Sequence, residues 1–186
     1  MEYEIKIGVS NRHVHLTESD YQMLFDEPLE VVYKLNQIGE FASNQYLTIK
    51  NGDKVIERVR VVGPLRKYTQ IEVSKSDARK LDLNPPVRSS GDIKDSETIT
   101  LETPKSSIER IGCVIADRHV HMSPSDAIKY NVVNGQDVKV RVGGPKSGIM
   151  DAKIKVGETG YYEFHVDTDD ANAFQLENND SATLII

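Results

Sequence analysis

The sequence predicts a mainly β protein made of two similar units, each a barrel or sandwich of short strands accompanied by short helices. Segments with alternating apolar and polar residues are separated by turn signals such as those at 51–53 and 143–145, a spacing typical of barrels and sandwiches. The tetrapeptide Arg-His-Val-His occurs twice, at 12–15 and 118–121. This repeat indicates two related units of fewer than about 100 residues each.

Eleven segments have the alternation and the turn-bounded length of β-strands. In chain order they are 4–9, 12–16, 45–50, 54–62, 68–73, 97–102, 111–116, 118–122, 137–142, 150–156 and 161–166. Four short helices are predicted at about 18–25, 75–81, 124–130 and 168–174. Strands therefore outnumber helices throughout the chain.

Each predicted helix follows directly after a strand and begins at a residue that favours an N-cap. The capping residues are Thr17, Ser74, Ser123 and Asp167, and an aspartate stands three positions later in every case. This arrangement is typical of a helix start, and Pro124 occupies the favoured first helical position. We therefore expect the four aspartates to stabilise helix starts rather than to act in catalysis.

The repeated tetrapeptide carries four of the five histidines, which are His13, His15, His119 and His121. Residues two apart on a strand point to the same face, so each copy directs two imidazoles to one place. Histidine is the commonest metal-binding side chain. The repeat therefore predicts two metal sites or one shared site. For a single copy, a solvent-facing or hydrogen-bonded pair of histidines is the plainer alternative.

A possible third ligand stands two residues before the helix cap in each half. It is Glu72 in the first half and His165 in the second. Two histidines with a carboxylate, or three histidines, leave a tetrahedral ion with one position for substrate or water. A closed site built on several thiolates is excluded, because the chain has one cysteine. The ligand sets therefore predict open sites of the catalytic kind.

Arg66 is a candidate anion-binding residue. It follows the turn Gly63-Pro64-Leu65 and stands six residues before Glu72. If the strand between them leads into the metal site, the guanidinium reaches the same pocket, where its planar fork suits a phosphate or a carboxylate. An exposed turn arginine is the alternative. Arg12 and Arg118 alternate onto the other strand face, so we expect them to form salt bridges or to contribute to packing.

The polar stretch 84–92 has the composition of a loop and joins the two halves of the sequence. It is either a linker or a ligand-binding loop, in which backbone N–H groups and a guanidinium would meet an anion. The candidate ligand-binding residues in this stretch are Arg88, Ser89, Ser90 and Gly91.

The bulk composition argues against several classes of protein. A net charge of −6 and a pI of about 5.4 argue against nonspecific nucleic-acid binding. No apolar run approaches the length of a membrane span and the first strand begins almost at once, so we expect neither a membrane anchor nor a signal peptide. Cys113 has no partner for an intrachain disulfide, which fits a reducing cytosol. We expect it to be a buried strand residue.

Five stretches give the chain a specific family resemblance. They are GVSNRHVHLT (8–17), GPLRKYTQIEVSKSDA (63–78), PPVRSSGD (85–92), ADRHVHMSPSDA (116–127) and EFHVDTDDANA (163–173). In these stretches the chain resembles the PduL-type phosphate acyltransferases (phosphate propanoyltransferases, or phosphotransacylases), and the resemblance extends over essentially the whole chain. After Asp92 the glycines that are usual in the family are missing.

The resemblance implies two β-barrels with short capping helices, in which the N-terminal strand belongs with the C-terminal barrel. The implied domains are 1–10 with 117–186, and 11–116. It also implies two metal ions, usually zinc, although other divalent transition metals fit the same ligands. One ion would take His13, His15 and Glu72, and the other His119, His121 and His165. Arg66 matches the phosphate-binding arginine of the family.

The activity implied by the resemblance interconverts acetyl- or propanoyl-CoA and phosphate with acyl phosphate and CoA. We expect direct transfer, with CoA as substrate or product, and a homodimer is possible. A metal-dependent thioester or related hydrolase and a non-enzymatic metal-binding double-barrel module are the alternatives. The expected location is cytoplasmic. Targeting to a microcompartment is less favoured, because no N-terminal extension precedes the first strand.

Overall fold

The computed structural model describes every residue from Met1 to Ile186. The chain is mainly β, as its sequence predicts. It divides into two compact units, a terminal unit formed by Met1–Asn11 with Asp117–Ile186 and a central unit formed by Arg12–Ala116. Each unit therefore contains one copy of the Arg-His-Val-His repeat.

Fourteen strands and four helices follow one another along the chain. The strands are β1 (Glu2–Ser10), β2 (His13–His15), β3 (Val31–Lys34), β4 (Phe41–Asn51), β5 (Lys54–Gly63), β6 (Gln70–Glu72), β7 (Val87–Arg88), β8 (Glu97–Glu102), β9 (Ser107–Ala116), β10 (His119–Met122), β11 (Asp137–Val142), β12 (Gly148–Val156), β13 (Glu163–Asp167) and β14 (Ser181–Ile185). The helices are α1 (Glu18–Leu24), α2 (Lys75–Lys80), α3 (Pro124–Tyr130) and α4 (Thr168–Phe174). None of these helices is long and apolar enough to cross a membrane.

Six strands close into a barrel in each unit. In the terminal unit the order around the barrel is β1–β13–β10–β12–β11–β14, and β14 pairs again with β1. In the central unit the order is β9–β6–β2–β5–β4–β8, and β8 pairs again with β9. The short strands β3 and β7 pair outside this ring, with β4 and β9. The prediction of two β-barrels with short helices is confirmed.

The two barrels share one pattern of parallel and antiparallel pairings. Strand β1 is parallel to β13 as β9 is to β6, and β10 is antiparallel to β13 as β2 is to β6. The strand that leads into each histidine repeat belongs to the other barrel. Strand β1 precedes β2 in the chain but closes the terminal barrel, and β9 precedes β10 but closes the central barrel. The two halves of the sequence have therefore exchanged their leading strands.

A valine lies between the two histidines of each repeat and is completely buried. Val14 belongs to the core of the central barrel, and Val120 belongs to the core of the terminal barrel. Successive side chains on a strand point to opposite faces, so packing of the valine directs both neighbouring histidines to the other face. A slip of one residue would exchange the two faces and is strongly disfavoured.

All four predicted helices are present, and each begins at its predicted cap. The side chains of Thr17, Ser74, Ser123 and Asp167 accept a hydrogen bond from the backbone N–H three residues later. Each cap thereby satisfies one of the backbone donors that the first turn leaves without a partner. The polar residues before each helix are therefore used for local structure.

Three strands are absent from the sequence prediction, and one interpretation is wrong. The side chains of β3 are all exposed. This strand therefore lacks the alternation of apolar and polar residues on which strand prediction depends. Strand β7 has only two residues, and β14 is a short segment after a polar turn. The stretch 84–92 is not a linker between the two units, because it lies within the central unit and contributes β7 to it.

The arginine that opens each repeat is bound by an aspartate at a helix start. Arg12 donates to Asp77 at 3.0 Å, and Arg118 donates to Asp170 at 2.9 Å. These contacts confirm the expectation that both arginines form salt bridges. They also tie each repeat to the helix that follows β6 or β13.

Asp20 in α1 is a buried carboxylate that anchors its helix to β9. Its oxygens accept hydrogen bonds from Arg110 at 2.5–3.0 Å and from Thr69 at 2.5 Å. Burial alone would raise the pKa of Asp20, but the hydrogen bonds from Arg110 and Thr69 outweigh it and hold the pKa below its usual range. A carboxylate with a depressed pKa stabilises the fold above its unfolded pKa.

We expect Arg110→Met to lower the free energy of unfolding at neutral pH by roughly 2 kcal/mol, below the ~3–5 kcal/mol of a fully buried pair, because the guanidinium is one-third exposed. The wild type should lose this advantage progressively as the pH falls below about 4, where the unfolded chain binds a proton at Asp20, and completely once the pH is below the depressed pKa of the folded state. Urea unfolding at pH 7 and pH 3 measures both effects, with Arg79→Met, at an exposed position of α2, as the control. A deficit that persists unchanged at pH 3 would contradict the assignment.

Candidate metal centres

The strand pairing of each barrel brings the third candidate ligand beside the histidine pair. In the central unit, His13 lies directly opposite Glu72 in the β2–β6 pair. In the terminal unit, His119 lies directly opposite His165 in the β10–β13 pair. Directly opposed side chains on one face are close neighbours, so the register of the strands places the candidate ligands of each cluster side by side.

The central cluster consists of His13, His15 and Glu72. One potential ligand atom from each residue lies within 4.8 Å of the others, and His13 Nε2 is 3.6 Å from Glu72 Oε2. His15 Nδ1 lies 3.2 Å from the carbonyl oxygen of Val62. A carbonyl only accepts hydrogen bonds, so this contact assigns the proton to Nδ1 and the lone pair to Nε2.

The terminal cluster consists of His119, His121 and His165, and their potential ligand atoms also lie within 4.8 Å of one another. The Nε2 atoms of His119 and His121 are 2.9 Å apart. The carbonyl oxygen of Asp117 accepts from His119 Nδ1 at 2.7 Å, which again assigns the proton to Nδ1 and the lone pair to Nε2. Both clusters therefore use a backbone carbonyl to orient one imidazole.

Burial and the neighbouring histidines favour the neutral form of His121 in the terminal cluster. Burial, followed by the neighbouring His119 and His165, lowers the pKa of His121 far below its usual range. A neutral imidazole is the form that binds a metal ion. His121 is therefore already in the state that a metal site requires.

The donor sets fit a divalent transition metal. Two imidazoles with a carboxylate, and three imidazoles, are ligand sets found for zinc and related ions at catalytic sites. Each set leaves coordination positions for water or substrate. Hydrogen bonds from histidine to backbone carbonyls are the outer contacts that commonly accompany such ligands. The six side chains that the sequence singles out thus form two groups capable of holding a metal.

Arg66 lies in the central unit and binds a carboxylate. Its guanidinium donates to Glu40 Oε1 at 2.5 Å and to Ser90 Oγ at 3.3 Å. Its backbone N–H donates to the carbonyl oxygen of Leu16, one residue beyond β2, at 2.8 Å. Arg66 is therefore a partly buried anion-binding group, rather than an exposed turn residue.

The candidate ligand-binding residues at 88–91 contact two different parts of the central unit. Ser90 contacts Arg66, and the backbone N–H of Gly91 donates to Gln70 Oε1 at 2.8 Å. Arg88 instead donates to the carbonyl oxygen of Lys94 at 3.0 Å, within its own loop. The carbonyl oxygen of Ser89 accepts from the N–H of Asp92. The structure thus brings Ser90 to Arg66 and brings Gly91 to Gln70, which donates to Glu72 of the central cluster, whereas the side chain of Arg88 binds within its own loop.

Several polar residues at the clusters are missed by the sequence prediction. Gln70 donates to Glu72 at 2.6 Å, and both Glu163 and Tyr161 lie 2.7 Å from His165 Nε2. Gln70 and Glu163 each stand two residues before the third candidate ligand, on the same strand face. The period of two along a strand could have identified both.

Comparison with known proteins gives one consistent result. The sequence model of a family described as phosphate propanoyltransferase matches residues 6–177. A phosphate propanoyltransferase of Thermotoga maritima is 43% identical over 97% of this chain and 89% of the relative. Proteins of the same name from Priestia megaterium and Rhodopseudomonas palustris are 44% and 40% identical, over 97% and 96% of this chain and 85% and 80% of their own lengths. The similarity therefore includes both clusters.

Gly8 on β1 lies against the terminal cluster, where no side chain fits. A Cβ atom at this position would stand 2.6 Å from His165 Nε2 and even closer to Glu163 Oε2. We expect Gly8→Ala to displace His165 and to lower the affinity of the terminal cluster for zinc by roughly 10-fold or more, as outer-contact changes commonly do. Competition with a chromogenic chelator measures this affinity.

The matched control is Gly143→Ala in the same unit, because a Cβ atom there would have no neighbour within 4 Å. It should retain the zinc affinity of the wild type. Equal zinc affinity in Gly8→Ala and Gly143→Ala would show that the close approach of β1 does not position the cluster.

Proposed function

The chain belongs to the phosphate propanoyltransferase family, and on this premise we propose that it is a metal-dependent enzyme that transfers an acetyl or propanoyl group directly between CoA and phosphate. The observation that carries the proposal is the presence of two ligand clusters at equivalent registers of two barrels. An arginine already engaged with a carboxylate lies in one of these units.

In this proposal the two clusters hold two zinc ions, or other divalent transition metals. The central cluster would use His13, His15 and Glu72, and the terminal cluster would use His119, His121 and His165. Bound ions of this kind supply Lewis acidity, which stabilises the negative charge that develops on a thioester carbonyl oxygen or a departing thiolate. The open ligand sets support this assignment, because a closed shell would leave no place for a reactant.

Arg66 is proposed to bind phosphate. Its guanidinium contacts the carboxylate of Glu40 at 2.5 Å, which shows that the surroundings of Arg66 accept an anionic oxygen. The planar fork of arginine matches phosphate as well as carboxylate. Phosphate would therefore compete with Glu40 for Arg66, and Ser90 would offer a further hydrogen bond beside it.

The proposed reaction forms one bond and breaks one bond at the carbonyl carbon. An oxygen of HPO4²⁻ attacks this carbon, the C–S bond of the thioester breaks, and the proton of the phosphate ends on the CoA thiol. No covalent acyl-enzyme is required. Cys113 supports this choice, because burial, assisted by Glu97, raises its pKa to about 12 and the side chain is completely buried. A thiol in that state is a poor nucleophile.

CoA and acyl-CoA, phosphate and acyl phosphate are the proposed partners. A cytoplasmic location and a homodimer stay predictions, which cell fractionation and light scattering would test. Arg88, Ser89, Ser90 and Gly91 stay candidates for ligand binding. Of these, Ser90 contacts Arg66, and Gly91 contacts Gln70, which donates to Glu72; these contacts favour a role near the reactants.

Elemental analysis of the purified protein, combined with a thiol-release assay, tests the proposed function. We expect up to two divalent metal ions per chain, together with thiol release from acetyl- or propanoyl-CoA that requires phosphate and accumulates acyl phosphate. Removal of the metal should lower the rate by more than about 100-fold, because a Lewis acid contributes several kcal/mol. Thiol release without phosphate would indicate a hydrolase, and undiminished activity of metal-free protein would exclude metal dependence.

We expect Arg66→Ala to lower kcat/KM for phosphate by roughly 100- to 1,000-fold, the loss typical when a charge-stabilising donor is removed. The bound metal should stay at the wild-type level, because Arg66 is in neither ligand set. Arg66→Lys should recover only part of the loss, since lysine lacks the planar fork. The exposed Arg79→Ala is the matched control. Wild-type phosphate kinetics in Arg66→Ala would remove Arg66 from the mechanism.

A further inference from the structure

One residue beside each cluster occupies the same place in both barrels but differs in chemistry. Gln70 lies directly opposite His15 in the β2–β6 pair, and Glu163 lies directly opposite His121 in the β10–β13 pair. Each stands two residues before the third candidate ligand of its cluster, on the same strand face. Both are buried, with exposed fractions of 0% for Gln70 and 5% for Glu163.

Gln70 acts as a donor towards its cluster. The backbone N–H of Gly91 donates to Gln70 Oε1 at 2.8 Å. Because a backbone N–H cannot accept, this contact fixes the orientation of the side-chain amide. The amide nitrogen must then face Glu72, and it donates to Glu72 Oε1 at 2.6 Å. The central cluster therefore has a carboxylate as third candidate ligand and a donor beside it.

Glu163 has the opposite character. Its Oε2 atom lies 2.7 Å from His165 Nε2, and an ionised carboxylate can only accept a hydrogen bond, so the proton is on Nε2 and Nδ1 is the nitrogen that would bind a metal. The terminal cluster therefore has an imidazole as third candidate ligand and an acceptor beside it. In the central unit the carboxylate is the third ligand, Glu72, and in the terminal unit it is the residue beside the third ligand, Glu163.

We propose that Gln70 and Glu163 are equivalent positioning residues, and that each orients the third metal ligand of its cluster through a hydrogen bond of matching polarity. This inference rests on the metal assignment in the proposed function. A carboxylate ligand needs a donor to fix its free oxygen, whereas an imidazole ligand needs an acceptor to fix its ring. An amide donor beside Glu72 and a carboxylate beside His165 meet these two needs.

Truncation of each residue tests the proposal, and zinc affinity is the readout. The His119→Ala background isolates the central cluster, and the His13→Ala background isolates the terminal one. We expect Gln70→Met to lower zinc affinity in the first background by roughly 10- to 100-fold, and Glu163→Met to do so in the second. Glu163→Gln retains an acceptor oxygen without the charge, so its zinc affinity should lie between those of Glu163→Met and the parent.

The matched control is Gln22→Met, which removes an exposed glutamine that donates to Glu18 at 3.4 Å within α1. It should leave zinc affinity unchanged in both backgrounds. Circular dichroism and thermal unfolding of the metal-free variants separate loss of a ligand's orientation from loss of the fold. Zinc affinity at the parent level in both methionine variants would overturn the proposal.

An exchange of polarity provides the sharper test. Glu72→His in the His119→Ala background sets an imidazole beside an amide donor, and we expect weak zinc binding. Adding Gln70→Glu to Glu72→His reproduces the pattern of the terminal unit, so zinc affinity should recover by roughly 10-fold or more. With Glu72 retained, Gln70→Glu places two buried carboxylates together, and zinc affinity should fall. Such opposite effects would show that the two positions are coupled.

The opposing outcome is that Gln70→Glu changes zinc affinity by the same factor whether or not Glu72→His is present. That result would mean that only the added charge matters, and the proposal would be wrong. If wild-type protein binds no zinc, the metal assignment and this inference fail together. If zinc binds and the cycle behaves as expected, but phosphate-dependent thiol release is absent, the proposed transferase activity fails and the positioning roles stand. The affinity measurements and the activity measurements therefore separate the two proposals.

Discussion

The antiparallel pairing of a histidine-bearing strand with the strand that carries the third ligand is the constraint on which each cluster depends. Backbone hydrogen bonds set His13 opposite Glu72 and His119 opposite His165. The buried valine between the histidines determines which face they take. The backbone pairing of the two strands and the buried valine thus hold three polar side chains together. No direct bond among these side chains is required. Loss of this register would scatter the ligands over two faces.

Burying several polar side chains together costs free energy unless neighbouring groups form hydrogen bonds with them. Backbone carbonyl groups of Val62 and Asp117 form such bonds, and each fixes the proton of one imidazole. Salt bridges at two helix starts hold the repeats in place, since Asp77 and Asp170 bind the arginines that begin them. Both aspartates also lie in the first turn of their helices, where a negative charge is favoured. Local helix chemistry and cluster geometry are consequently supported by the same short segments.

Sequence periodicity predicts the histidine pairs, the third candidate ligands and all four helix starts, because these features depend on local spacing. It does not predict Glu40 as the partner of Arg66, because the two are brought together by tertiary folding between separate turns. Strand β3 is missed because exposed Val31, Val32 and Tyr33 give no alternation. The orientation of the Gln70 amide depends on Gly91, which lies 21 residues away. Local pattern cannot supply such contacts.

The exchange of leading strands has a consequence for how such a chain could arise. A half-length chain carrying one histidine repeat would supply five strands of one barrel and the sixth strand of another. It could complete a barrel only by pairing with a second copy, as in a domain-swapped homodimer. Joining two such copies end to end would preserve every pairing while allowing the halves to diverge. The present chain has the topology that such a fusion would produce, with one histidine repeat in each barrel.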